Sequence, residues 1–143
     1  MQGAPVLVYE LLPEQQLLVS WQNTHEASDD EWDNYVQAVS SLRGPGAASL
    51  VLTDGGYPTR KQQARLFEQI KDNRRVAVVS SASTLRFVVS ILSFINPNIK
   101  SYMPDELVDA ITYLRVPEAS HPIVLATVES LRRRLERPSI VAA

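Results

Sequence analysis

The chain has 143 residues, 45% hydrophobic and 21% charged, which suits one domain with a real core and favours neither a disordered nor a membrane-embedded chain. A formal charge of -2 provides no general attraction to nucleic acid or an anionic bilayer, and the absence of cysteine excludes disulfides, thiolate nucleophiles and zinc-thiolate sites. That absence suits a reducing compartment, and the opening MQGAPVLVYELLPEQQ has no basic region before Glu10 of the kind a secretory signal needs, so a cytoplasmic location is expected.

The runs VLVYELL and QLLVSWQ flank Pro13-Glu14-Gln15 and predict antiparallel strands over Pro5–Leu12 and Gln16–Gln22. In HEASDDEWDNYVQAVSSLRGPG, residues Trp32, Tyr35, Val36, Val39 and Leu42 recur at three and four. This predicts an amphipathic helix opened by Ser28 or Asp29 and closed by Gly44-Pro45-Gly46. ASLVLTD is a nearly continuous apolar run, as in a strand covered on both faces. It delivers the chain to Asp54-Gly55-Gly56-Tyr57, after which Pro58-Thr59 opens a helix with Ala64, Leu66, Phe67 and Ile70 as its stripe.

RRVAVVSS repeats the strand pattern, STLRFVVSILSFI the helix, IKSYMP a short strand and DELVDAITYLRV another helix. The resulting order, β-β-α-β-α-β-α-β-α, predicts an α/β fold: an N-terminal hairpin followed by crossover units, with a mostly parallel central sheet flanked by helices. Residues 1–117 are expected to form this domain, and 118–143 a C-terminal helix, HPIVLATVESLRRRLE, with a tail, packed on the domain or extending from it. The most apolar stretch, Leu85 to Ile95, spans about eleven residues where a bilayer crossing takes roughly twenty.

The strand pair, the HEASDDEWDNYVQAVSSL helix, the LVLTD strand and the closing IKSYMPDELVDAITYL unit together resemble the SpoIIAA-like branch of the STAS superfamily, over roughly Gln16 to Val116. In that branch an aromatic strand end leads into an acidic cap and an Ala-Leu helix, much as Tyr102, Asp105, Glu106, Ala110 and Leu114 stand here. The resemblance implies a STAS-like bacterial regulatory module without enzymatic activity or cofactor, acting through a protein partner or self-association as a homo-oligomer. It also implies, as an alternative, a small-molecule or lipid binder, because the fold's relatives include ligand-carrying variants. The family's anti-sigma antagonists carry a phosphoacceptor Ser in an Asp-Ser-Ser-Gly type motif where the central strand enters the next helix. The junction here reads Thr53-Asp54-Gly55-Gly56-Tyr57-Pro58-Thr59; the Ser-Ser-Gly part is absent, and Thr59 is the nearest hydroxyl and the possible phosphoacceptor.

A Gly-Gly turn at a helix N-terminus attracts anions, yet neither nucleotide-binding glycine spacing is met, and a turn with Thr59 as N-cap explains the same letters. Asp54 at a strand end resembles a receiver phosphoacceptor, but the first hairpin supplies only Glu10 and Glu14 where that site needs an acidic pair for its Mg²⁺. His25 and His121 stand apart from any Gly-x-Ser-x-Gly elbow and form no metal cluster, so a hydrolase is a lesser alternative and no metal is expected. Arg132, Arg133, Arg134 and Arg137 alternate with Glu129 and Glu136, as on a solvated helix end.

The helix beginning at Ser83 is apolar nearly all round, with Leu85, Val88, Val89 and Leu92 on one side and Phe87, Ile91 and Phe94 on much of the remainder. It therefore calls for cover on more than one side, from the C-terminal helix or from another chain. The expected contact set for a partner or ligand is Asp54, Gly55, Gly56, Tyr57, Thr59, Ser83, Phe87, Ile91 and Phe94. The order of elements puts both helix starts at the C-terminal edge of the sheet, where open α/β folds bind, and Phe87, Ile91 and Phe94 extend the set along the surface of the third helix.

Overall fold

The computed structural model of the chain describes residues 5–93 and 96–136, and among these the side chains of all but residues 84–87 and 91. Five strands, β1 (Leu7–Leu12), β2 (Leu17–Gln22), β3 (Ala48–Thr53), β4 (Arg75–Val79) and β5 (Ile99–Tyr102), form one sheet in chain order. β1 pairs antiparallel with β2, and the remaining three pairs are parallel. The helices are α1 (Asp29–Ser41), α2 (Arg60–Gln69), α3 (Ser83–Leu92), α4 (Leu107–Tyr113) and α5 (His121–Glu136). The α/β class and the predicted order of elements are those of the fold.

Strand alternation gives the sheet two unlike faces. One presents Leu17, Val19, Ala48, Leu50, Leu52, Ala77 and Val79, which pack with Ala110, Ile111 and Leu114 of the α4 region and Val124, Val128 and Leu131 of α5. The other carries, row by row across the paired strands, Leu11–Leu18–Ser49–Val76–Ile99 and Tyr9–Ser20–Val51–Val78–Ser101. Parallel strands taken in sequence put successive crossover helices on one side, and α1 and α3 both pack on this second face, around Leu18 and around Val78 and Ile99 respectively.

Three expectations change. The hairpin ladder starts at Leu7, paired with Gln22, rather than at Pro5, which has no N–H to contribute. Pro13–Gln15 forms a single 3₁₀ turn that leaves Gln16 in the left-handed region at φ 53, so β2 begins at Leu17 rather than Gln16. The C-terminal helix packs against β1 and β2 on the first face and therefore does not cover α3, which lies on the second.

Candidate functional site

The loop from β3 to α2 is fixed by its own short side chains. Thr53 Oγ1 donates to the carbonyl of Gly56 and accepts from the N–H of Gly55, whose φ of +136 only glycine adopts without strain. Gly56 donates its N–H to the carbonyl of Asn23 at 2.9 Å, and a Cβ there would press into the main-chain oxygens of Asn23 and His25. Asp54 is exposed and accepts the Trp21 indole N–H at 3.0 Å, and Tyr57 stands exposed beyond it. Thr59 caps α2: its hydroxyl accepts from the Gln62 N–H while the Gln62 side chain accepts from the Thr59 N–H, a reciprocal box.

α2 itself departs from the predicted stripe. Ala64 is exposed, Leu66, Phe67 and Ile70 are only partly buried, and the one buried residue of the helix is Gln62. Its side-chain amide donates to the carbonyl of Ala27 at 2.9 Å and to Asp29 at 3.2 Å, while its main-chain carbonyl accepts the buried Trp32 indole N–H at 2.8 Å. Arg65 forks onto both carboxylate oxygens of Asp33, at 2.9 and 3.0 Å. The hydrogen bond from Gln62, with Lys61 beside it, holds the Asp29 carboxyl below its ordinary value. Leu66 and Ile70 lean on the α1 cluster, so the main neighbour of α2 is α1.

Because α2 stands off the sheet, a cavity of about 340 Å³ lies between them. Its floor is the second face of the sheet, with Ser20, Ser49, Val51, Thr53, Val76 and Val78. Leu66 and Phe67 of α2 and Ile70 just after it form the roof, with Tyr35 and Val39 of α1 on one side and Val88, Val89 and Leu92 of α3 on the other. Exposed lining residues mark where it reaches solvent: Tyr57 before α2, and Lys71, Asp72 and Asn73 after it. The volume falls in the range typical of small-molecule sites and matches a body of somewhat more than a dozen heavy atoms, scaling from about 150 Å³ for benzene.

The floor is less apolar than the opposite face of the same strands. Ser20 Oγ lies 3.3 Å from the Tyr35 hydroxyl, and burial pushes that phenol's pKa up, keeping it a neutral hydroxyl. Ser49 is 4% exposed, yet its hydroxyl has no hydrogen-bond partner among the described residues. The oxygen is not sealed off either, and so it opens into the cavity that Ser49 lines. At the far end sits Arg74, buried, with its guanidinium on both oxygens of Asp72 and on the carbonyls of Val39 and Leu42. Its charge is thus matched, and the hydrogen bond from Arg74 draws the Asp72 carboxyl below its ordinary value.

Of the residues expected from sequence, Gly56 and Tyr57 line the cavity, together with Pro58; Asp54, Gly55 and Thr59 hold the loop beside it. Ser83 begins α3 and is exposed. Phe87 and Ile91 belong to α3, but their side chains lie outside the described part, and Phe94 lies outside the described residues altogether. The residues missed are the floor and roof. Their signal was present in the alternation of β2 and β3, where Ser20, Gln22, Ser49 and Thr53 share the phase opposite to Leu17, Val19, Leu50 and Leu52.

His25 is exposed, and His121 Nε2 sits 3.0 Å from the Val116 carbonyl, far along the chain from any serine of the cavity floor. Arg132 pairs with Glu129 and Glu136, and Arg134 lies 3.7 Å from Glu10. Among the described residues there is no cluster of three or more His, Cys, Asp or Glu placed to hold a metal, and no helix long and apolar enough to cross a membrane. Searches against family models, curated proteins and solved structures return no match for the chain.

Proposed function

We propose that this domain binds a small, largely apolar molecule in the cavity between α2 and the sheet, and acts as a non-enzymatic binding module. The observation that carries the reading is the cavity itself: a helix held off a sheet face by its bonds to a neighbouring helix, leaving space where a covering side chain would ordinarily close the layer. This is the ligand-carrying alternative of the STAS-like reading, and the SpoIIAA-like resemblance, resting on element order, stands as part of the same proposal.

The test is direct binding of trans-stilbene, a hydrocarbon of matching size whose emission rises when its internal rotation is blocked. The wild-type chain is expected to raise that emission saturably, and Val51→Trp, which fills the floor from the central strand, to weaken binding at least tenfold. In a filled core an enlargement of that kind costs about 1–3 kcal/mol. Here the new ring enters empty space, so urea unfolding is expected to show no such loss. No emission change with the wild type, or equal binding by the variant, overturns the reading.

A second reading, docking of a protein partner or a second copy along the same sheet edge, is favoured by Tyr57, 41% exposed at the cavity mouth, and by α5 lying on the other face from α3. Light scattering separates the two. A cavity binder keeps the monomer mass with or without stilbene, whereas a self-docking module shows a doubled mass that Tyr57→Ser reduces.

A further inference from the structure

We infer that the natural occupant carries one uncharged hydrogen-bonding group, a hydroxyl, carbonyl or amide, that meets the Ser49 hydroxyl, with the rest of its body apolar; the inference rests on the cavity reading above. Three observations carry it. The first is Ser49: a hydroxyl on the central strand, 4% exposed, opening into the cavity and without a partner among the described residues. Buried hydroxyls are ordinarily bonded, and one left without a partner on a ligand-facing floor is a place for a polar atom of the ligand.

The second is its setting. Ser49 is flanked in its row by Leu18 and Val76, and the neighbouring row brings Val51 and Val78. The nearest other hydroxyl on β2, Ser20, already faces the Tyr35 hydroxyl at 3.3 Å. One polar group of the ligand is therefore served at this point, surrounded by apolar side chains that favour a hydrocarbon body around it.

The third is charge. Arg74 and Asp72 are bound to each other at one end, and Lys71 stands exposed at the rim. Among the described lining residues the charged ones are Arg74 and Asp72, matched to each other, and the exposed, solvated Lys71, so an ionised head placed at Ser49 would lose its water and meet no buried free counter-charge. A hydroxyl, carbonyl or amide loses far less on the same transfer and recovers it through the Ser49 bond.

The experiment compares trans-stilbene, para-hydroxystilbene and stilbene-para-carboxylate, by emission titration, on the wild type and on Ser49→Ala. The wild type is expected to bind the hydroxy compound about fivefold tighter than stilbene and at least tenfold tighter than the carboxylate, and Ser49→Ala to abolish the first preference while binding stilbene within about twofold of wild type. The variant should unfold at the same urea concentration as wild type or a higher one, since the hydroxyl it removes bonds no described residue of the protein.

If stilbene binds but the hydroxy compound gains nothing, or keeps its gain in Ser49→Ala, the inference falls and the cavity reading stands, with water at Ser49. Tighter binding of the carboxylate likewise overturns the inference alone. If stilbene fails to bind the wild type, both fall.

Discussion

Gly56→Ala is expected to lower the stability of the chain by about 3 kcal/mol, seen as a drop of about 10 °C in the thermal midpoint. The cause is contact, not conformational freedom: the added Cβ would meet the main-chain oxygens of Asn23 and His25, and backbone yields less readily than the end of a side chain. Those oxygens are themselves engaged. Asn23 accepts the Gly56 N–H, and the His25 carbonyl accepts the Gln22 amide at 2.8 Å, so pushing either away breaks bonds on both sides of the sheet edge. Tyr57 and Pro58 follow directly and line the cavity mouth, so the same substitution should also weaken stilbene binding. Differential scanning calorimetry together with the emission titration checks both; a variant with the wild-type midpoint would show that the loop relaxes at little cost.

Arg74→Met is the second large effect, again about 3 kcal/mol by urea unfolding. The guanidinium donates to the carbonyls of Val39 and Leu42 at the end of α1, where a cation also complements the helix dipole, and a thioether replaces none of those bonds. Asp72 is 48% exposed and can return to water, which keeps the loss below that of a fully buried pair. The pH dependence follows in sign. Asp72 has a folded pKa below the ordinary 3.8, so its contribution is fully present above that value and is lost as the pH falls through the lower folded one. The wild type should therefore lose the Asp72 part of its advantage over Arg74→Met at the acid end of a pH series and keep the part due to the Val39 and Leu42 carbonyls, and an equal advantage at every pH would remove Asp72 from the account.

The order of strands and helices was legible because each element shows its period over enough residues: Trp32, Tyr35, Val36 and Val39 for α1, and the nearly continuous apolar run of β3 for a strand covered on both sides. What the letters did not reveal is which element covers which face. Val124, Val128 and Leu131 announce that α5 has a buried side, but the same stripe would suit α3 or the sheet as its partner, and packing chose the sheet. The cavity was hidden for a related reason. Ser49 and Thr53 read as ordinary strand residues, and Leu66, Phe67 and Ile70 as an ordinary core stripe, unless their spacing in three dimensions is known. Gln62 was missed because glutamine usually marks a solvated face, and it is buried here only because the Thr59 N–H, the Ala27 carbonyl and the Asp29 carboxylate all bond its side chain.

The attachment of α2 has a kinetic corollary. Swinging this helix outward uncovers the half-buried Leu66, Phe67 and Ile70 and the cavity floor beneath them, and breaks the Gln62 hydrogen bonds and the exposed Arg65–Asp33 and Lys61–Asp29 pairs. Amide exchange along α2 should accordingly proceed through a local opening whose denaturant dependence is smaller than that of global unfolding, because only one helix and the floor under it are uncovered. Added salt, by screening those two pairs, should quicken both that exchange and the on-rate of any occupant.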